Sequence, residues 1–565
     1  MKDREEIVEQ GQDRGDLLLV TLLSLLLSLL AFGFLYQCGD ILLYGDAVAH
    51  INIARRLTDA RELGSFQLGT VWLPLPHLLV APFVANDALW RNGIGGSLPS
   101  MAAYILGVVG LFRLVRARTS RAAASLAAAI YALNPSLLYM QATAMTESIF
   151  LAALIWAVFY FDCFLRGLDG ESGMAPAIPS IPSIPTWRAL ERCAICLAAA
   201  IFTRYDGWIL AFIIGLGALW EALSWLRWSP PQREAQRLKR SLISALLLLA
   251  LCPALWLAHN YEINRHPLDW LNGPYSAQAI EKRTSQPGAP PYPGKGHAIV
   301  AAQYFLKAAR MNTGEGLCED WLIVLAAAGV LVFFRHPRRF AALPLLWIPL
   351  PFYAYSIAYG SVPIFVPEWW PFSYYNVRYG LELLPAIAVS SALLLWAAGQ
   401  MRRPKLTLAA GGALWLAVLV AYNSSAAGTS RRTHEREWGR RWMIPICYRE
   451  AFANSRDRLA LERQLGRALE DIPTDSRILM YTSDYVGALQ IAGIPLRHVI
   501  SEDSGILWEP ALSAPFASAD FVVAVAGDPV ADAVRVNPRG LTLLSVFHAL
   551  GKPEVRFYRA SHPLR

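Results

Sequence analysis

Charge is scarce in this chain: only 17% of its 565 residues are Asp, Glu, Lys or Arg, against roughly 25% in soluble domains, while 55% are hydrophobic. A protein so poor in charge is excluded from the ordinary water-soluble class, because that much apolar surface needs lipid. The formal charge of +8 does not argue for nucleic acid, since the basic residues sit in short clusters between apolar runs, where they set membrane topology. The chain also lacks a G-x-x-x-x-G-K-[ST] phosphate loop, a G-x-S-x-G elbow and an H-E-x-x-H pair. Support for ATP-driven transport, the common serine hydrolases and the zinc proteases falls accordingly. Cysteines number seven, and Cys38, Cys163, Cys193, Cys196 and Cys252 fall in or beside apolar segments, where the thiol acts as a small hydrophobe. Cys193 and Cys196 spell C-x-x-C, but their apolar setting favours helix packing over redox or zinc chemistry. Cys318 and Cys447 are the two expected to be exposed, and a disulfide between them stays open. No cleavable signal peptide is expected, because residues 1–16 are polar and acidic and the apolar run 17–38 is long enough to span a bilayer.

What the chain has instead is a series of apolar runs, at 17–38, 99–115, 122–140, 146–165, 190–203, 207–226, 241–258, 321–334, 340–358, 380–399 and 406–423. They predict an all-α polytopic membrane protein of about eleven transmembrane helices. Four basic clusters set its direction: Arg113–Arg121, Arg227–Arg240, Arg335–Arg339 and Arg402–Lys405. Placing them in the cytoplasm puts 39–98, 141–146, 204–206, 259–320, 359–379 and 424–565 on the outer face. Residues 71–84 are apolar, yet at about 1.5 Å per residue they fall short of the ~30 Å hydrocarbon core, so they read as an interfacial helix. The expected organisation is a cytoplasmic N-terminus (1–16), a membrane domain (17–424) with a large first outer loop (39–98), and an extracytoplasmic α/β domain (425–565). In that last part a charged helical pattern at 450–470 precedes β-rich runs at 477–482, 521–526 and 541–547. The Pro-, Gly- and Ser-rich stretch 166–189 reads as a flexible cytoplasmic linker.

The residues with chemistry to offer lie on the outer side. In the first outer loop, L-L-Y-G-D-A-V-A-H-I-N-I-A-R-R carries an apolar stripe of Ala49, Ile53, Leu57 and Ala60, which predicts a helix along the membrane surface with Arg55, Arg56, Asp59 and Glu62 elsewhere. Asp46 stands in its first turn and His50 one turn later on the same face. The carboxylate is suited to be a general base or, with His50, a metal ligand; equally, it could cap the helix.

Glu147, in T-A-M-T-E-S, is an acid at the outer end of an apolar helix, a costly position that is often functional and is also favoured by the helix dipole. T-R-Y-D-G-W at 203–208 sets Arg204 and Asp206 in an outer hairpin, where they either pair with each other or face a site. R-Y-G-L-E-L-L-P at 378–385 opens an apolar helix with Arg378, which either holds an anion or only snorkels. The aromatics before it, Trp369, Trp370, Phe372, Tyr374 and Tyr375, fit an interfacial belt first and a sugar or lipid surface second.

These four stretches, together with G-T-V-W-L-P-L-P-H after the first, resemble the GT-C superfamily of integral-membrane glycosyltransferases over about residues 17–400. The likeness is to the bacterial relatives of the protein O-mannosyltransferases and of the aminoarabinose transferase of lipid A. It implies a module of spans with a long first outer loop, a donor consisting of a sugar linked to polyprenyl phosphate, and a glycan, lipid or protein acceptor on the outer face of the bacterial cytoplasmic membrane. By the same resemblance Asp46 acts on the acceptor or helps hold a metal, Glu147 is the second outer acid, and Arg378 and Arg204 hold the leaving phosphate. His50 and Asp206 are candidates for metal or acceptor contact. A divalent metal ion is the one cofactor left open. The competing expectation from another class is a transporter or flippase of lipid-linked sugars, which would place ionisable residues deep within spans and show inverted repeats.

Overall fold

A computed structural model describes residues 2–169, 184–228, 230–285, 288–427 and 444–561. By internal contacts the chain forms two compact units: 1–37, 100–142 and 146–450 make the first, and 38–99, 143–145 and 451–565 the second.

The first unit is helical, and the protein is a multi-pass membrane protein. Among the described residues eight helices are long and apolar enough to cross a bilayer: Asp13–Gln37, Ile94–Arg116, Glu147–Leu168, Asp206–Leu226, Gln232–Asn264, Gly316–Arg335, Val377–Gln400 and Pro404–Ser425. Arg121–Ala132 and Pro135–Gln141 add a ninth if they are one span bent by 62°. The bend has a local cause: Pro135 brings no N–H to continue the first helix, and the Asn134 side chain restarts the chain by accepting from Leu137 N at 2.9 Å. The two remaining apolar runs form the 16-residue helix Thr186–Ile201 and the broken pair Leu343–Trp347 and Pro349–Tyr359, each helix shorter than the 20 to 33 residues of the eight spans.

One end of this unit collects basic loops. Arg116 bonds Asp13 at 3.1 Å, Arg121 pairs with Asp16, Arg118 and Arg166 bind Asp162 at 2.7 and 3.2 Å, and Arg339 donates to the Arg118 carbonyl at 2.9 Å. Two of the four basic clusters therefore meet the start of the first span there. From this end the 22-residue helix Glu147–Leu168 runs about 33 Å to Glu147 at the other.

The second unit unites the first loop with the C-terminal part. Its mixed sheet has the order β2-β1-β3-β5-β4, from β1 (Ile478–Met480), β2 (Val499–Ile500), β3 (Phe521–Val525), β4 (Leu541–Phe547) and β5 (Val555–Ala560). β1 pairs parallel with β2 and β3, while β5 runs antiparallel to β3 and β4. Central β3 is wholly buried and packs Val522 and Ala524 against Val530 and Val534 of the following helix, which Asp528 caps through Ala531 N at 2.6 Å. Helix Ile446–Glu470 leads into this sheet, and three strands fall where the alternation of β-rich runs predicts them.

The helix Gly45–Arg56 differs from its expected setting. Ala47, Ile51, Ala54 and also Arg55 are buried within the second unit, where Asn52 Nδ2 donates to Gln490 Oε1 at 2.9 Å. Arg55, expected on a polar face, is enclosed because every donor finds an oxygen: Asp59 at 2.8 Å, the carbonyls of Val84 and Ala85 at 2.8 Å each, and Asp87 at 2.5 Å. The apolar 71–84 run yields the 10-residue helix Leu75–Val84. All seven cysteines are free thiols, so no disulfide joins Cys318 to Cys447, and Cys447, expected exposed, is buried with its thiol on Asn312 at 3.1 Å. Of the expected linker 166–189, residues 170–183 lie outside the described residues.

Candidate functional site

At the end of the first unit away from the basic loops, four of the expected residues come together. Glu147 opens its helix and is fully buried; its Oε1 lies 3.2 Å from Arg378 Nε and 3.6 Å from Arg204 Nη1. Arg204 closes the turn after Thr186–Ile201 and reaches Asp206 at 3.4 Å, so the expected local pair exists, but it is longer than the contacts to Glu382 and Tyr353. The same guanidinium approaches Glu382 Oε1 at 3.0 Å and the Tyr353 hydroxyl at 2.6 Å. Tyr353 donates to Glu382 at 2.7 Å and lies 3.4 Å from Asp206. Arg378 also faces Glu450, whose Oε1 is 3.6 Å from Nη1 and whose Oε2 accepts from the Arg378 backbone N–H at 3.2 Å.

Local folding explains this convergence. Arg378 and Glu382 ride on a tight turn, Val377–Leu383, that precedes helix Leu384–Gln400. Gly380 lets this turn lie against the Ala298–Thr313 helix, since a Cβ there would stand 2.4 Å from Ala309 N. Asn312 ties the same turn down by donating to the Val377 carbonyl at 2.9 Å. The ring of Tyr379 then sits between the two guanidiniums, with Arg204 Cζ 4.8 Å and Arg378 Cζ 5.1 Å from its centroid. Phe305 stacks on Tyr353 at 4.6 Å and fixes its ring, and hence the hydroxyl.

Four carboxylates thus surround two guanidiniums, and the Oε2 atoms of Glu147 and Glu382 are buried without a hydrogen-bond partner. Buried charges persist only when paired and hydrogen-bonded, so this arrangement is costly and poised to exchange partners. Chemically it offers two planar cations for an anion and carboxylates that can accept a proton. Arg378 is not an idle snorkelling cation, as its exposed reading had it: an incoming anion has to compete with Glu147 and Glu450.

Asp46 and His50 belong to the second unit. Asp46 is half-buried in the first turn of Gly45–Arg56, and the residue before the helix is Tyr44, which makes no side-chain cap. His50 Nδ1 meets His77 Nε2 at 2.8 Å, with the Trp72 ring 4.6 Å from the His50 ring. Burial, His50 and Arg56 together hold the His77 imidazole well below its ordinary pKa, so it is neutral. Among the described residues no group of three or more His, Cys, Asp or Glu side chains is arranged to hold a metal ion.

Sequence reasoning missed Glu382, Tyr353, Tyr379, Glu450 and His77. Glu382 had a signal, an acid inside an apolar run four residues after Arg378; Tyr353 in an apolar run and Glu450 in a charged helix had none.

No protein-family model matches the sequence, and no curated protein sequence matches it significantly. Among solved structures, ArnT from Cupriavidus metallidurans bound to undecaprenyl phosphate is similar with a TM-score of 0.51 at 13% identity, over 96% of this chain and 98% of that one. The Archaeoglobus fulgidus oligosaccharyltransferase in complex with Zn and sulfate aligns over 90% of this chain and 68% of its own, with a TM-score of 0.44 and 13% identity. At that identity the likeness to ArnT shows a shared overall fold over nearly the whole chain, in line with the fold that the sequence resemblance implies.

Proposed function

We propose that the protein is a membrane glycosyltransferase that moves a sugar from a polyprenyl-phosphate donor to a hydroxyl acceptor on the outer face of a bacterial cytoplasmic membrane, where the second unit also resides. The observation behind this is the pair Arg204, half-buried, and Arg378, buried, which both approach the Tyr379 ring at the end of the spans remote from the basic loops. Two guanidiniums there suit a lipid-borne phosphate, whose polyprenyl tail stays in the bilayer. The shared fold with a protein that binds undecaprenyl phosphate supports the same donor class.

In this mechanism Asp46 takes the proton of the acceptor hydroxyl as its oxygen attacks the anomeric carbon. The bond from that carbon to the phosphate oxygen breaks, and polyprenyl phosphate leaves as an anion without needing a proton, so one base suffices. Arg378 and Arg204 offset the charge growing on the phosphate. Glu147 holds Arg378 for the donor and yields it as the phosphate arrives; Tyr353, Asp206 and Glu382 keep Arg204 in place.

The test is to reconstitute the purified protein in liposomes with a panel of undecaprenyl-phosphate sugars and acceptor extracts, and to follow free undecaprenyl phosphate by mass spectrometry. Acceptor-dependent release is expected. Sugar-lipid crossing the bilayer without any release would replace the transferase with a flippase.

A further inference from the structure

A second feature of the membrane unit lies at its opposite end and is independent of the transferase reading. Between the helix Trp321–Arg335 and the segment that follows it, the chain does not form one continuous second helix. Pro337, Pro344 and Pro349 interrupt it, and only the short turn Leu343–Trp347 precedes Pro349–Tyr359. The gap is a cavity of about 610 Å³ whose lining is mostly apolar and includes Ala327, Phe334, Pro337, Ala341, Pro344 and Trp347. The helix on one side of it is held close to its neighbour: a Cβ at Gly329, two residues on from Ala327, would overlap the Ser390 carbonyl at 1.8 Å.

Two basic residues directly follow lining residues of this recess in sequence, Arg335 after Phe334 and Arg338 after Pro337. Arg335 and Arg338 are exposed and have no ion-pair or hydrogen-bond partner among the described residues, whereas Arg116, Arg118, Arg121 and Arg166 at the same end all have an aspartate. Arg339 is turned away, with its Cζ 4.9 Å above the Trp396 ring and its Nε on the Arg118 carbonyl. Trp396 and Arg378 stand at opposite ends of one span, about 30 Å apart, so this recess is separate from the Arg204–Arg378 cluster.

We propose that the recess binds one anionic glycerophospholipid of the leaflet at the basic end, with its phosphate on Arg335 and Arg338 and an acyl chain along Ala327 and Ala341. An apolar occupant without an anionic group would fill the cavity but leave the two neighbouring cations without a counter-charge. A volume of this size lies within the roughly 300–1,000 Å³ of small-ligand sites. Basic pockets between spans on the cytoplasmic side are suited to anionic headgroups by the same physics.

The test is native mass spectrometry of the full-length protein in detergent, mixed with equal amounts of phosphatidylglycerol and phosphatidylcholine of identical chains. The first adduct should favour phosphatidylglycerol by roughly thirtyfold, the factor for two cations near an anionic headgroup. Arg335→Gln with Arg338→Gln should bring that preference close to unity, and Ala327→Phe should reduce adducts of both lipids by filling the recess. Equal retention of the two lipids by the unmodified protein would overturn the proposal, and that comparison needs no variant to fold. A preference unchanged in the double Gln variant, or a dimer free of lipid adducts, would overturn it too.

Discussion

Arg378 Nε and Glu147 Oε1 lie 3.2 Å apart although 231 residues separate them in sequence. Each loses its nearest counter-charge without the other, and each is conspicuous in the sequence for the same reason: an ionisable group at the end of an apolar run. Their pairing turns two isolated signals into one site, and it sets what substitutions there should do.

Arg378→Lys keeps the charge and can still meet Glu147, but it loses the planar fork. The variant should express and remain monodisperse while saturating with donor at a higher concentration, by roughly tenfold or more, the scale of one lost charge-assisted hydrogen bond. Arg378→Ala, which takes a cationic partner from both Glu147 and Glu450, should also unfold earlier, by up to about 3–5 kcal/mol. Donor titrations and thermal unfolding separate the two effects. An unchanged donor dependence in both variants would remove Arg378 from the phosphate site.

Gly380→Ala tests whether the turn itself positions the site. The new methyl would meet Ala309 N at 2.4 Å and must push Val377–Leu383 off the Ala298–Thr313 helix, carrying Arg378 and Glu382 with it. The backbone on both sides can yield little, so overpacking of about 1–3 kcal/mol is expected, with a loss of transfer larger than the loss of stability implies. A fully active, equally stable variant would show that the turn has slack.

Much of this was legible in the sequence, and the limits have physical causes. Apolar runs identify spans because lipid demands it, and intramembrane charge identifies Glu147, Arg204, Asp206 and Arg378 because lipid penalises it. Tyr353 is invisible by that logic, since a tyrosine in an apolar run reads as core until its hydroxyl is seen on Arg204 and Glu382. The fate of the first loop was equally hidden: Arg55 looks like a solvated residue until the carbonyls of Val84 and Ala85 and the carboxylates of Asp59 and Asp87 are placed around it. Periodicity reports which face of a helix is apolar, not which distant segment will bury its polar face.

The His50–His77 pair predicts an acid-sensitive second unit. His77 is held neutral in the fold by burial, His50 and Arg56, while in the unfolded chain it takes up a proton near pH 6.5. The folded state thus binds fewer protons, and stability should be full above about pH 6.5 and fall as the pH drops below it, by up to about 1.4 kcal/mol per pH unit. Unfolding of the detergent-solubilised protein at pH 7.5 and 5.5 measures this, and His77→Gln should flatten the difference. The same pH slope in the variant would assign the sensitivity elsewhere.

Orientation is checked by single cysteines at Ser65 and Thr474, both exposed positions of the second unit, in a background from which the seven native cysteines have been removed. Intact spheroplasts should label both with an impermeant maleimide, because the basic clusters assign this unit to the outer face. Labelling that requires lysis would invert the topology and move the proposed donor site to the cytoplasm.

The enzyme reading depends most on Asp46. It sits in the first turn of Gly45–Arg56, where a carboxylate gains from the helix dipole. Asp46→Asn keeps the shape and removes charge and basicity, so the structural cost is limited to the dipole interaction, about 0.3–1 kcal/mol. If Asp46 receives the acceptor proton, transfer should fall by roughly a hundredfold or more. Expression, detergent stability and donor binding should remain close to those of the unmodified protein, because Arg204, Arg378 and their carboxylates are untouched. Rates of polyprenyl phosphate release and donor titrations on the same preparation distinguish this from partial unfolding, which would lower both together. Near-normal transfer by Asp46→Asn would sink the proposed mechanism and pass the role of base to another carboxylate, with Glu147→Gln the next variant to measure.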